Sequence, residues 1–350
     1  MNRKKYRKCL CFIFVVYIIV FLYYLSNVPL TVQVDASVTT EKKVMPLGVP
    51  VGIYIKTKGV LVLGTGEVTD IDGRKMEPAA NILRSGDYIL EADGKQICST
   101  DELTGILEEW KGGDLLLNVL RGNDETALRM TPVRTADSEY KIGAWIRQDA
   151  QGIGTLSYVD SENNFGALGH GITDVDTSLR IDISGGRLYE TQIFSIVKGE
   201  DGNPGEMIGS INYRQGKILG NIRSNNENGI FGSLAEDFYL YDESKAIPVA
   251  SKHEIEKGPA SIRCCVDGEV KDYAVEIQSI DPGGMNENRD MVIQIKDPDL
   301  LKRTNGIVQG MSGSPIIQNG KFVGAVTHVF VNDSAKGYGI FAERMMDGAS

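Results

Sequence analysis

The chain has 350 residues, room for two folded domains and a leader. Its net charge is −10, and five of its 37 basic residues crowd into residues 1–8, so the remainder is acidic and excludes nucleic-acid binding. Three histidines and five cysteines at these spacings fit neither a zinc site nor a disulfide framework, so no metal and no cofactor is expected.

In chain order, residues 1–8 form a basic cytoplasmic leader and 9–28 a transmembrane signal anchor. Cys9 to Leu25 is an apolar run near the lower limit for a spanning helix, and the basic flank sets its orientation. Everything after it is expected outside the cytoplasm; a signal peptide cut after Ala36 is the competing reading. Residues 29–43 read as a polar linker, the natural place for a processing cut.

Residues 44–134 form the next unit. Gly52-Ile-Tyr-Ile-Lys and Val60-Leu-Val-Leu-Gly are strand patterns, and Asp93-Gly94 marks a tight turn. Ser99-Thr-Asp-Glu102 is a capping box opening a helix through Trp110, stopped by Gly112-Gly113. This order, with the Gly86-Asp-Tyr-Ile step, resembles a PDZ-like domain. The resemblance implies that an extended peptide is taken as an added strand, with Gly48, Gly52 and Ile53 in the candidate ligand loop. The ligand is a partner's peptide or a segment of the chain itself.

Residues 137–350 read as β throughout. Runs such as Gly154-Thr-Leu-Ser-Tyr-Val, Ala260-Ser-Ile-Arg-Cys-Cys-Val and Met291-Val-Ile-Gln-Ile are separated by Gly, Asn and Asp. With glycine at 40 residues, above the roughly 7 % of average usage, the whole chain is expected to be mainly β. Cys98, Cys264 and Cys265 receive no role.

The last unit carries the chemistry. In Gly306-Ile-Val-Gln-Gly-Met-Ser312-Gly-Ser-Pro-Ile-Ile, Ser312 sits on a turn leading into a hairpin closed by Asn319-Gly320. Flanking glycines let a substrate approach the hydroxyl, and the amides of Gly310 and Ser312 are placed to hold an oxyanion. A serine nucleophile needs an imidazole, and an imidazole needs an orienting acid. His170 ends an apolar run between glycines and is the leading base; His253 is a solvated surface residue. His328 lines the substrate pocket, and Thr327 beside it supports the triad. Asp174, Asp176, Asp290, Asp297 and Asp299 are all possible acids, of which Asp297 ends a strand pattern and is pinned by Pro298. No G-x-S-x-G elbow before a helix occurs, so the architecture expected is a chymotrypsin-like double β-barrel.

Gly169-His-Gly-Ile, Asp297-Pro and the block from Gly306 through Gly-Ala-Val-Thr-His328-Val-Phe-Val-Asn-Asp closely resemble the stage IV sporulation protein B family, serine peptidases of endospore-forming bacteria. The resemblance implies His170 as base, Asp297 as orienting acid and Ser312 as nucleophile. It also implies self-cleavage after the leader and release between the forespore and mother-cell membranes. Its target would be a membrane regulatory complex that restrains a sigma factor. Two other classes fit the residues: a non-catalytic membrane-anchored PDZ scaffold, and a serine esterase using the same groups.

Overall fold

The computed structural model describes residues 42–349 except 201 and 284–287. The leader 1–8, the anchor 9–28 and the linker up to residue 41 lie outside the described residues. Among the described residues, no helix is long and apolar enough to cross a membrane.

In chain order the strands are β1 (Lys43–Thr65), β2 (Tyr88–Ala92), β3 (Leu115–Arg121), β4 (Asp124–Met130), β5 (Ala144–Val159), β6 (Asn164–Ala167), β7 (Ile183–Val197), β8 (Glu206–Ile211), β9 (Ile218–Asn226) and β10 (Gly229–Leu234). They continue as β11 (Gly258–Cys265), β12 (Val270–Ile280), β13 (Met291–Ile295), β14 (Pro315–Gln318), β15 (Lys321–Phe330) and β16 (Asp333–Phe341). Among the described residues the α-helices are α1 (Thr100–Glu108), α2 (Pro298–Thr304) and α3 (Ala342–Asp347).

Two closed barrels result, so the fold is mainly β as expected. In the first, β1 pairs with both β5 and β7, and the ring returns through β9, β10 and β6. Val51, Ile55, Leu156, Phe165 and Ile222 fill it. The second closes as β11-β12-β13-β16-β15-β14 around Ile262, Val275, Ile293, Ile316 and Val326. Alternation decides which side chains enter: along β12, Tyr273, Val275 and Ile277 are buried while Asp272, Ala274 and Gln278 face out. Each such aliphatic side chain contributes about 1.5–3 kcal/mol of burial. Between the barrels, Tyr158 and Phe231 of the first pack on Phe322, Ile340 and Met345 of the second.

A third, smaller unit hangs from the first barrel. The ends of β1 and β5 extend beyond it, and β2, β3 and β4 add to β1 in turn. Helix α1 packs Leu103 and Leu107 onto this extension, against Val60, Val62, Leu117 and Val119. Its capping box is formed as the sequence predicts: Ser99 Oγ accepts from the Glu102 amide, and Glu102 accepts from the Ser99 amide. Asp93 and Gly94 take positive φ in the turn between β2 and Lys95, as Asn319 and Gly320 do between β14 and β15.

The boundary placed at residue 44 is corrected by β1. Its 23 residues serve both units: Met45 to Thr57 belong to the barrel and Val60 to Thr65 to the smaller one. The ligand loop assigned to Gly48, Gly52 and Ile53 is corrected with it. Gly52 pairs with Ile153 on one side and Tyr189 on the other, so no edge is open there. Gly48 has φ +71 at a bulge, where a Cβ would lie 2.5 Å from the Arg263 carbonyl oxygen; glycine is needed for barrel packing. Ile53 is a buried barrel residue.

Candidate active site

A cleft of about 490 Å³ runs between the barrels. Its walls include Ala150 to Ile153 of β5, His170, Ile307 to Gly310, Ser312, and Thr327 and His328 of β15. Of the expected residues, the cleft brings together His170, Gly310, Ser312, Thr327 and His328. It does not bring in Asp297, and no Asp, Glu, Lys or Arg is among its lining residues.

The nucleophile turn is built by glycine. Gly310 and Gly313 have φ of +99 and +95, and a Cβ on Gly313 would lie 2.2 Å from the Thr155 carbonyl oxygen. The Gly313 amide donates to Val326 O at 2.7 Å and that of Ser314 to Met311 O at 2.9 Å. Among the described residues the amides of Gly310 and Ser312 donate to no protein acceptor, which leaves both available to an incoming oxyanion. Ser312 Oγ donates to the Thr327 carbonyl at 2.8 Å rather than to His170.

His170 follows β6 after two residues with positive φ, Leu168 (+69) and Gly169 (+72), which turn the chain into the cleft. Its Nδ1 is 2.9 Å from the Gly171 carbonyl oxygen. A carbonyl only accepts, so Nδ1 carries the proton and Nε2 keeps the lone pair a general base needs. Desolvation holds the His170 pKa below the ordinary histidine value, partly offset by that carbonyl. The ring lies 4.9 Å from that of His328, centroid to centroid, at 34°. His328 is exposed; desolvation and then the charges of His170 and Arg289 push its pKa down as well.

The expected orienting acid, Asp297, is not among the residues that line the cleft. Asp297 is the N-cap of α2, accepting from the amides of Asp299 and Leu300, both at 3.0 Å, with Pro298 in the first turn. Three of the other candidate acids are engaged too. Asp174 is buried against Arg147 and the amides of Asp176 and Thr177. Burial alone would raise its pKa; the Thr177 amide and Arg147 outweigh that and hold it below the usual carboxylate value. Asp176 pairs with Arg147 at 2.7 Å. Asp290 is buried beside the Phe341 amide and Arg344. Thr327 is likewise not a brace for an aspartate: its hydroxyl donates to Asn288 O at 2.7 Å. The contact fixing the imidazole is therefore the Gly171 carbonyl.

Sequence reasoning missed Thr155. It is buried on β5, and its Oγ1 donates to Gly310 O at 2.7 Å while its amide donates to Ser312 O at 3.0 Å. Its carbonyl accepts from the Leu168 amide, two residues before the histidine. One residue thus ties the serine turn to the histidine segment. The only trace in sequence is a polar residue within an apolar run.

A family model described as SpoIVB peptidase S55 matches residues 138–346. No curated protein matches. Among solved structures, the chain is similar to the active form of the Rv3671c protease from M. tuberculosis at 14 % identity. That match covers 57 % of this chain and 73 % of that one, with a TM-score of 0.31. The inactive form of Rv3671c protease matches at 14 % identity over 56 % and 82 %, with a TM-score of 0.29. The HtrA-type protease AlgW with decapeptide matches at 8 % identity over 87 % of this chain and 63 % of that one, with a TM-score of 0.34.

Proposed function

This chain belongs to the SpoIVB peptidase S55 family and is a serine endopeptidase; on that premise we propose that Ser312 is its nucleophile and His170 its general base. The observation that carries this reading is the convergence of Ser312, His170 and the unbonded amides of Gly310 and Ser312 on one cleft. Ser312 Oγ swings from the Thr327 carbonyl to Nε2 of His170, attacks the peptide carbonyl, and the proton returns to the leaving amine. Gly171 O keeps the imidazole in the right tautomer, and Asp297 acts by capping α2. An uncharged, largely aliphatic cleft favours an uncharged apolar residue before the cut.

The finer role is also proposed. The chain is a membrane-anchored, self-processing peptidase of sporulation, held by residues 9–28 with its body outside the cytoplasm. After self-cleavage it is released between the forespore and mother-cell membranes, where it cleaves a membrane regulatory complex restraining a sigma factor. Residues 60–134 form its PDZ-like domain, and 137–350 together with Met45 to Thr57 of β1 the peptidase. The support is the family membership, the basic apolar leader and the strand order around α1.

The test follows the intact mass of the full-length chain in detergent, with and without Ser312→Ala. Shortening of the parent near its N terminus, with the variant whole, is expected. Equal shortening of both would remove Ser312 from the reaction. If both stay whole while a peptide ester is still hydrolysed, the chain is an esterase; with neither reaction, a scaffold.

A further inference from the structure

The smaller unit has a groove between Val60–Thr65 of β1 and helix α1. One edge of that strand is taken by β2, through Val60↔Ile89 and Leu61↔Tyr88. The other edge, facing α1, is where an extended peptide would add as a strand. The chain itself occupies it. Ala144 to Arg147 of β5 pair antiparallel with Leu61 to Thr65, through Leu61↔Arg147, Val62↔Ile146, Gly64↔Trp145 and Thr65↔Ala144. Ile142 is buried in the same apolar cluster as Leu103 and Leu107 of α1, with Ala144 and Ile146 packed against it. At the far end the Gln148 side chain accepts from the Thr100 amide at 2.6 Å and from Thr100 Oγ1 at 3.0 Å, while Thr57 Oγ1 donates to Gln148 O at 2.9 Å.

The fit is incomplete. The pairing is interrupted by a bulge between Val62 and Gly64, Trp145 is 64 % exposed, and a cavity of about 350 Å³ remains beside the strand, between α1 and residues 139–146. The exposed indole and the cavity set this end of β5 apart from its barrel stretch Gly154–Val159, which is buried throughout. We propose that this groove is a strand-binding site whose resident ligand is the chain's own Ile142–Gln148, and that an extended apolar peptide of another polypeptide takes its place. The inference rests on reading this unit as PDZ-like.

The exchange reaches the catalytic cleft through two covalent and ionic routes. β5 continues without a break into Ala150 to Ile153, a wall of the cleft. Arg147, the last residue paired in the groove, is bonded to Asp174 and Asp176, on the segment that follows His170. Lifting the strand pulls on both.

The experiment uses the full chain carrying Ser312→Ala, so that its outcome does not depend on cleavage. The probe is a labelled peptide copying Ile142–Asp149. With the parent groove filled, the peptide binds weakly; Ile146→Asp, which withdraws the resident anchor, is expected to tighten binding at least about tenfold. Adding Leu107→Arg then abolishes it. Hydrogen exchange on the Ser312→Ala chain alone supplies a readout that needs no groove variant. Excess peptide speeds exchange at the chain's own Ala144–Arg147 while Leu61–Thr65 stay protected by the replacement strand. The proposal is overturned if Ile146→Asp, melting cooperatively, gains no affinity, if the gain survives Leu107→Arg, or if saturating peptide leaves exchange at Ala144–Arg147 unchanged.

Discussion

At the scale of single residues, the site separates groups that react from groups that hold them. Ser312 and His170 meet in the cleft, whereas Asp297 has both close partners in the first turn of α2. Asp297→Asn, which keeps a capping acceptor, should therefore leave peptide cleavage within a few-fold of the parent. Asp297→Ala should lower stability by about 1 kcal/mol in a denaturant titration. Thr155→Val removes the hydroxyl that donates to Gly310 O; it should cost about 1 kcal/mol and lower kcat/KM about tenfold, because the serine turn loses the donor that fixes its Gly310 carbonyl. Loss of stability with unchanged kcat/KM would reduce Thr155 to a packing residue. The Asp-Pro pair was legible as a helix N-cap followed by proline, a signal that competes with its reading as a strand-end acid. Thr155 was not legible, because its partner Gly310 is 155 positions away.

At the scale of elements, β5 is the strand on which the others depend, since it belongs to the first barrel, walls the cleft and fills the groove beside α1. Its Arg147 neutralises Asp174, whose side chain is fully buried. Arg147→Ala leaves that carboxylate unpaired, and about 3–5 kcal/mol of stability should be lost on thermal or chemical unfolding. The sign with pH follows from the depressed Asp174 pKa: this stability is present above the unfolded carboxylate value and is lost as pH falls through the folded one. The parent should thus show an acid loss of stability that Arg147→Ala lacks. Short elements were readable because their signals are local: the capping box of α1 and the two glycine turns formed as their residues require. The span of β1 was not, because a strand of 23 residues is shared by two units through pairings that local pattern does not encode.

At the scale of the whole molecule, two closed barrels hold His170 on one and Ser312 on the turn entering the other, so activity depends on the barrels staying docked through Tyr158, Phe322 and their neighbours. Burial keeps His170 neutral below the ordinary histidine range, so the acid limb of kcat/KM should fall below pH 6.5, the reference value. A limb above it would mean that a carboxylate near the ring raises its pKa in the working enzyme. β-rich architecture and the residues of the cleft were open to sequence reading through glycine spacing and the serine turn. The partner of the histidine ring was not, since a backbone carbonyl carries no side-chain signature. The most direct measurement is the rate at which a fluorophosphonate labels the full-length chain, with the adduct located by peptide mass. A single adduct on Ser312 is expected, with the rate falling at least about 100-fold in His170→Ala and remaining within about threefold of the parent in Asp297→Asn. An adduct elsewhere, or an Asp297→Asn rate as low as that of His170→Ala, would contradict the account.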